Sequence, residues 1–510
     1  MNAEVEFSWT RGDQVPLALL VECSALFSTH YGVWSDHASF RPGERIRMGP
    51  ERIGALLEIP GSGIAAARVR GELIAYATAT RGEIRGQGRI TWVTQLVVHE
   101  DYRNQDVAKR LLHSLWSFSD GFGWGLVTAN PYAVRALEKA TRRRCDPEVI
   151  RTNLDALHQF GRWIPYIAGK PVQVGDGESR IDTQFFVDHS QLDRMMENAS
   201  QTDRWQMGEI GEGEEWLAFT FGAQPQTALT GEDLRQLLAA PEQTAREALG
   251  RMNLDAGHFW MKHAEAEARF AAEHLGLTPG SRFLDFGCGV GRHSVVLGGL
   301  TGASGVAIDF VPELVERARA SAAEAGVASV RFAVGDCRTA RLGEEFDAVL
   351  CLYDVIGTFP DDAENDAIIA RVAEHVRRGG RVLVSVMNLE LTESQAKYSG
   401  DVFADPGLLT RLRPSRTMQE TGNIFDPDYY LVDPVSSIVY RKEQFEDDAL
   451  LPTEVVVRDR RYRCDELIEK FEEVGIRKIW SRYVQAGRWD VPLDATDPRA
   501  KEILFLGERD

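Results

Sequence analysis

At 510 residues, the chain has room for two or three domains that each bury a core. A net charge of −19 argues against nucleic acid held by bulk electrostatics, and no run of about 18 apolar residues exists to cross a membrane as a helix. Cys23, Cys145, Cys288, Cys337, Cys351 and Cys464 form no CxxC pair, and the opening MNAEVEFSWTRGDQVP lacks a secretory pattern; reduced thiols, no metal and a cytoplasmic location are expected.

In chain order, apolar spacing predicts a helix over 16–32, then strands over 62–71, 72–80 and 90–98. A helix over 106–118 follows, then a short apolar strand at 124–129 and a helix from Pro131. Further strands are expected at 162–168, 182–189 and 215–222. The basic run KATRRR, 139–144, reads as a solvated helix end, where the dipole favours cations.

The acidic stretch from Thr230 is a helical connector, with Thr230 as N-cap and Asp233 reaching back to it. From 282 to 390 strands and helices alternate, which predicts a parallel, doubly wound sheet. Beyond Leu391 the pattern turns antiparallel: strands over 429–445 and 453–463, a helix over 464–475, and strands over 478–486 and 502–508. The expected domains are 1–225, a connector over 226–250, and 251–510.

The stretch SRFLDFGCGVGRHSVVL sets a strand directly before Gly287, Gly289 and Gly291, which open a helix. Glycines let backbone pass close under a ligand. Asp309 ends the next strand, where a carboxylate can accept both ribose hydroxyls. Asp285, just upstream of the glycines, repels a phosphate and suits a ligand carrying an ammonium.

This segment resembles the class I S-adenosylmethionine-dependent methyltransferases of small-molecule type, over about 251–510. The resemblance implies a Rossmann-like sheet with S-adenosyl-L-methionine as cofactor. It also implies that Asp285 holds the methionine ammonium through water or the loop, that Gly287, Gly289 and Gly291 line the methionine, and that Asp309 clamps the ribose. FAVGDC looks like the family's third-strand motif, so Asp336 would accept from the adenine amine and the Cys337 backbone would meet the ring. Leu352, Tyr353 and Asp354, in FDAVLCLYDVIGTF, would face the methyl donor. His293 is expected on the helix surface or behind the site, and Cys288 and Cys337 as packed thiols.

Methyl transfer is an in-line displacement, so alignment supplies much of the rate and a base matters only for a protonated or hydroxylic acceptor. Tyr353 and Asp354 are the candidates to orient or deprotonate it. The missing D/N-P-P-Y/F run argues against a DNA base or glutamine as substrate. Family resemblance further implies an antiparallel lid around 391–463, whose Tyr429, Tyr430, Tyr440 and Tyr462 either line a small-acceptor pocket or pack a core.

ITWVTQLVVHEDYRNQDVAKRLLHSLW resembles motif A of the GNAT N-acetyltransferases, and TANPYAVRALEKA their motif B, over about 5–155 and at most to 224. The implied fold is a mixed sheet with helices. Its ligand is acetyl-CoA or another acyl-CoA, with the acyl-pantetheine against Leu96 and Val98 and the pyrophosphate on the turn of Arg103, Asn104, Gln105, Asp106, Val107 and Ala108. Asn130 belongs to the same motif set.

Asp106 stands where the family has a central glycine. It either crowds the diphosphate with like charge or caps the helix it begins. Leu137 replaces the family's frequent tyrosine acid, and Gln95 on the strand cannot act as a base.

The chain therefore reads as an α/β protein: a transferase that methylates a small molecule at N or O, joined to an acetyltransferase-like half. One alternative makes that half a non-catalytic acyl-CoA sensor or docking module. Another makes the chain a nucleic-acid modification enzyme anchored by KATRRR. The oligomeric state is not legible in the sequence.

Overall fold

The computed structural model describes residues 5–116, 121–201, 204–238, 259–444 and 454–510. The chain forms two compact units, 1–245 with 446–455, and 246–445 with 456–510. The predicted connector beyond residue 238 and the end of the predicted 106–118 helix lie outside the described residues. Where it is described, the connector behaves as expected: Asp233 N–H donates to Thr230 Oγ1 at 3.1 Å and Thr230 N–H to Asp233 Oδ2 at 3.2 Å.

The first unit is built on an eight-stranded sheet of β1 (Glu6–Arg11), β2 (Ser62–Val69), β3 (Glu72–Ile84), β4 (Gly88–Val98), β5 (Gly123–Thr128), β6 (Val172–Gly175), β7 (Glu178–Asp182) and β8 (Glu214–Phe221). Its order is β1-β2-β3-β4-β5-β8-β7-β6. Helices α1 (Leu17–His30) and α2 (Pro50–Leu57) turn Leu19, Cys23, Leu26, Phe27, Ile53 and Leu57 onto Tyr76 and Val97. Helices α3 (Val107–Trp116) and α4 (Pro131–Thr141) bury Leu111, Leu112, Leu115, Val134 and Leu137 in a second core. Each such leucine contributes about 1.5–3 kcal/mol of burial, so packing rather than intrinsic propensity holds these short helices.

Two expected strands are absent from this sheet. Residues 162–168 form turns, and of 182–189 only Asp182 is in a strand, as the end of β7, while the rest contribute a bridge from Val187 to Trp34. The strands are instead β6 and β7, a hairpin whose turn residues Asp176 and Gly177 have φ of 54° and 84°. An Asp-Gly pair accepts two positive φ angles, and that signal in VGDGES was overlooked.

The second unit holds another eight-stranded sheet: β9 (Arg282–Phe286), β10 (Ser304–Asp309), β11 (Val330–Val334), β12 (Phe346–Cys351) and β13 (Val376–Met387) run parallel. A small sheet of β14 (Pro414–Ser415), β15 (Tyr430–Asp433), β16 (Ile438–Gln444) and β17 (Glu454–Arg460) falls where the lid was expected. The main sheet is completed by antiparallel β18 (Ile476–Gln485), β19 (Arg488–Leu493) and β20 (Glu502–Arg509), giving the order β11-β10-β9-β12-β13-β20-β18-β19. Because β9 has β10 on one side and β12 on the other, the connections diverge there and leave a crevice at the carboxyl edge.

Three of the lid tyrosines pack rather than line a pocket. Tyr430, Tyr440 and Tyr462 are fully buried, and Tyr430 donates to the Thr392 carbonyl at 2.8 Å. Beside them lies a dry charge network: Arg441 bonds Glu443 and Asp459, while Arg461 bonds Asp459 and the Thr392 hydroxyl.

Candidate functional site

After the short α5 (Gly231–Leu238) of the first unit, the next α-helix among the described residues is α6 (Ala264–Leu275) of the second unit. The glycine loop leaves β9 and enters helix α7 (Arg292–Thr301) of the second unit, and it is laced to the end of β10. The Gly287 and Cys288 amides donate to the Ile308 carbonyl at 2.9 and 3.0 Å, and the Gly289 amide donates to Asp309 Oδ2 at 2.9 Å. The other Asp309 oxygen accepts from Val311 N–H at 2.9 Å. Burial raises the Asp309 carboxyl while these amides pull it back.

The glycines divide into two kinds. All have positive φ, 71° at Gly287, 52° at Gly289 and 73° at Gly291. A Cβ on Gly287 would lie 2.2 Å from Val355 Cγ2, and one on Gly291 would lie 2.7 Å from Phe332 Cε1. A Cβ on Gly289 would meet nothing within 4 Å. Gly287 and Gly291 are therefore demanded by protein packing, and Gly289 alone presents bare backbone to open space.

Asp285 is sealed beneath the loop at 3% exposure, where it accepts the Ser294 hydroxyl. Burial, with a smaller push from Asp309, raises its carboxyl to about 7. Asp336 is engaged by Arg338, whose Nη2 lies 2.6 Å from Oδ2 and which also bonds Glu364, so an adenine amine would share that carboxylate. Cys288 and Cys337 are buried thiols pushed far above their usual range by burial, as expected of packed residues. Leu352 is 5% exposed and packs in the core cluster against which Tyr353 also lies.

Tyr353 and Asp354 follow β12 at the same edge. Tyr353 adopts φ 68°, a costly conformation for an aromatic residue, held by its N–H to the Ser385 hydroxyl. Its hydroxyl donates to Glu267 Oε1 at 2.7 Å, and the Arg292 guanidinium lies 4.2 Å from its ring centroid.

Glu267, on α6 (Ala264–Leu275), was missed by sequence reasoning. It also accepts from His293 Nε2 at 2.7 Å, Arg292 Nη1 at 3.0 Å and Gly487 N–H at 2.8 Å. Burial alone would raise Glu267, but the His293 hydrogen bond and the Arg292 charge outweigh it and hold the carboxyl low. Burial drives His293 down to about 4, so it donates as a neutral ring behind Tyr353 and not from the helix surface. A signal existed: Glu267 lies on the stripe of Ala268, Ala271, Ala272 and Leu275, the buried face of its helix.

In the first unit, β4 pairs with β5 only from Ile90 to Val93. The β3 register steps from Thr78–Gln95 to Ala79–Val93, leaving Thr94 bulged, so simple alternation fails there. Leu96 and Val98 lie beyond the divergence, half-buried. The Thr94 carbonyl in the gap already accepts the Tyr166 hydroxyl at 3.0 Å. Gln95 is held by Tyr76 and Met48, not by a free space for water.

The turn before α3 contains Asn104 at φ 59° and Asp106 at φ 55°. Arg103 bonds the Val98 carbonyl at 3.2 Å and the His30 carbonyl, Gln105 bonds the Asp101 carbonyl, Val107 is buried and Ala108 half-buried. Asp106 lies 3.8 Å from Lys139, and its carbonyl accepts the Arg110 N–H at 3.0 Å at the start of α3. Asn130 is a cap: its Oδ1 accepts Tyr132 N–H at 2.9 Å at the start of α4. Leu137 is wholly buried.

KATRRR ends α4 with Lys139 exposed, as expected, but its arginines are tied to the protein. Arg142 bonds Gln226 and the Thr227 carbonyl, Arg143 the Thr141 and Gly222 carbonyls, and Arg144 bonds Glu138 and the Arg204 carbonyl.

The comparisons with known proteins follow this division. Residues 28–141 match the model of the acetyltransferase (GNAT) family, and residues 283–380 match a methyltransferase domain. The chain joins a GNAT domain to a methyltransferase domain. Among curated proteins, it is 34% identical over 141 residues to a ubiquinone biosynthesis O-methyltransferase of Xylella fastidiosa, covering 28% of this chain and 53% of that protein. It is 28% identical over 192 residues to a protein-L-isoaspartate O-methyltransferase of Methanothrix thermoacetophila, covering 37% and 81%.

The chain thus spans about half the length of the first of these relatives. Among solved structures, the CcbJ methyltransferase of Streptomyces caelestis has 15% identity and a TM-score of 0.36, covering 48% of this chain and 89% of that one. In the methyltransferase domain, the matched span runs from β9 into β13 and takes in the glycine loop, Asp309, Tyr353 and Asp354. In the GNAT domain, it runs from α1 through the Arg103–Ala108 turn to the end of α4. No helix among the described residues is long and apolar enough to cross a membrane.

Proposed function

We propose that the methyltransferase domain, 251–510, transfers a methyl group from S-adenosylmethionine to a nitrogen or oxygen of a small molecule. The observation that carries this reading is Gly289, bare backbone over open space, with its amide fixed by Asp309 at the carboxyl edge of a doubly wound sheet. Gly289 would pass beneath the methionine moiety, Asp309 would meet the ribose, and Asp336 with Cys337 would flank the adenine. Tyr353 and Asp354 stand where an acceptor would approach. When bound, the cofactor supplies an activated methyl; the chain's residues orient the acceptor and exclude water.

Asp309 tests this directly. Asp309→Ala is expected to weaken S-adenosylmethionine binding by about 1–3 kcal/mol, the scale of a charge-assisted hydrogen bond lost along with the loop's anchor. Calorimetry checks it, and retained affinity would remove Asp309 from the ribose.

For residues 1–225 we favour an acyl-CoA-binding module over an efficient acetyltransferase. The Thr94 carbonyl in the strand gap is taken by Tyr166, Leu137 stands at the acid position, and Asp106 places a carboxylate on the phosphate turn. Asp106→Gly removes a left-handed non-glycine residue at the cost of a half-exposed ion pair with Lys139. It is expected to stabilise the domain by about 1 kcal/mol and to tighten acetyl-CoA binding several-fold. Thermal melts and calorimetry on the full chain read both effects. Turnover of an amine by the wild type would reverse the preference. The whole chain is proposed to work in the cytoplasm, and the carbonyl-bound arginines of KATRRR count against a nucleic-acid substrate.

A further inference from the structure

Two acids, Asp354 and Glu502, stand at the carboxyl edge of the second unit's sheet, beside Tyr353. Asp354 is exposed in the turn after β12, and its own N–H reaches the carboxylate. The nearest cations by influence, Arg441 and Arg461, are spent on Glu443 and Asp459. That network of two arginines and two acids is internally neutral and dry.

Glu502 is the second observation. It opens β20 opposite Met387 of β13, at the same sheet edge as Tyr353 and Asp354. It is 2% exposed; one carboxyl oxygen engages Ser385, and Oε2 has no hydrogen-bond partner among the described residues. A buried carboxyl with an unused oxygen needs an explanation. Burial raises Glu502 to about 8, the charges of Glu267 and Asp354 add to the shift, and the Ser385 hydrogen bond and the Arg292 charge pull against it. Burial and Asp459 likewise raise Asp354. A cation held beside Asp354 would favour its carboxylate against this push.

Resting on the methyl-transfer reading above, we propose that Asp354 receives the methyl acceptor as an ammonium ion, which makes the acceptor a primary or secondary amine. The bound ammonium gives one N–H proton to the Asp354 carboxylate and regains its lone pair. That pair forms the N–C bond as the S–C bond breaks, and the sulfonium leaves as the neutral thioether, S-adenosylhomocysteine. The product is the methylated ammonium, and Asp354 returns its proton to water. A raised carboxyl suits this exchange, because it holds the proton long enough for displacement.

The experiment uses the full chain and S-adenosylhomocysteine, which brings no sulfonium charge. Calorimetry first establishes its binding; no binding overturns the methyl-donor reading, and this inference with it. The saturated protein is then titrated with benzylammonium and with benzyl alcohol, its uncharged match. The expected result is ammonium binding at least tenfold tighter than the alcohol, and at least a tenfold loss in Asp354→Asn with S-adenosylhomocysteine affinity retained. If S-adenosylhomocysteine binds but the ammonium does not, or the alcohol binds equally, or Asp354→Asn changes nothing, the amine assignment is overturned while the methyl-donor reading stands.

Discussion

Glu267→Ala is expected to destabilise the methyltransferase domain by about 3–5 kcal/mol, the cost of stranding a buried charge when its partner is deleted. Arg292 is 9% exposed in its side chain and would lose its carboxylate; the Tyr353 hydroxyl, His293 and the Gly487 amide would lose their acceptor as well. Against a total stability of about 5–15 kcal/mol for a typical domain, that is a large fraction. Urea denaturation followed by tryptophan fluorescence reads it, and a change below about 1 kcal/mol would show that the cluster is not structural.

The same carboxylate gives a pH signature. Its folded-state pKa is depressed, so its contribution is complete above the ordinary carboxyl range and is lost as pH falls below about 4.5. The stability gap between wild type and Glu267→Ala should therefore shrink between about pH 5 and pH 2. A gap that stayed constant would mean that Glu267 is not held ionised by its neighbours.

Gly287→Ala and Gly289→Ala should part company, although the two residues sit in one motif. At Gly287 an added methyl drives into Val355 and keeps a positive φ, so a loss of about 3 kcal/mol or more is expected. At Gly289 the methyl meets no protein atom, and only the left-handed conformation is charged, about 1–2 kcal/mol. If cofactor passes over that backbone, Gly289→Ala should stay folded and lose S-adenosylmethionine affinity at least tenfold. Melting curves paired with calorimetry decide it. A folded Gly289→Ala with unchanged affinity would place the ligand elsewhere.

These two predictions expose where sequence reading is strong and where it stops. The glycines, the acid at 309 and the alternation of strands and helices were legible because they are local: a strand followed by backbone that must bend admits few residues, and the sequence shows them. The acetyltransferase-like turn was legible for the same reason, down to its departure at Asp106. The hairpin of β6 and β7 was also legible in principle, through its Asp-Gly turn, and was overlooked in favour of apolar runs at 162–168 and 182–189 that pack as turns and coil.

What the motif could not reveal was which of its members face a ligand. Gly287 and Gly291 look equivalent to Gly289 along the chain, yet Val355 and Phe332 claim them from elements that arrive later. Lid tyrosines gave no hint whether they lined a pocket, since an aromatic side chain serves either end; burial decided for packing.

Local order came from the amino-acid sequence: both fold classes, the loops at the strand ends and the acids beside them. Only three-dimensional packing could join Glu267, Arg292, His293, Tyr353 and Gly487, or set Glu502 at the edge where Asp354 lies. Those contacts span as many as 220 residues, and no periodicity records them. A helix's spacing states which side faces inward, while the partner waiting there depends on how distant elements close upon one another.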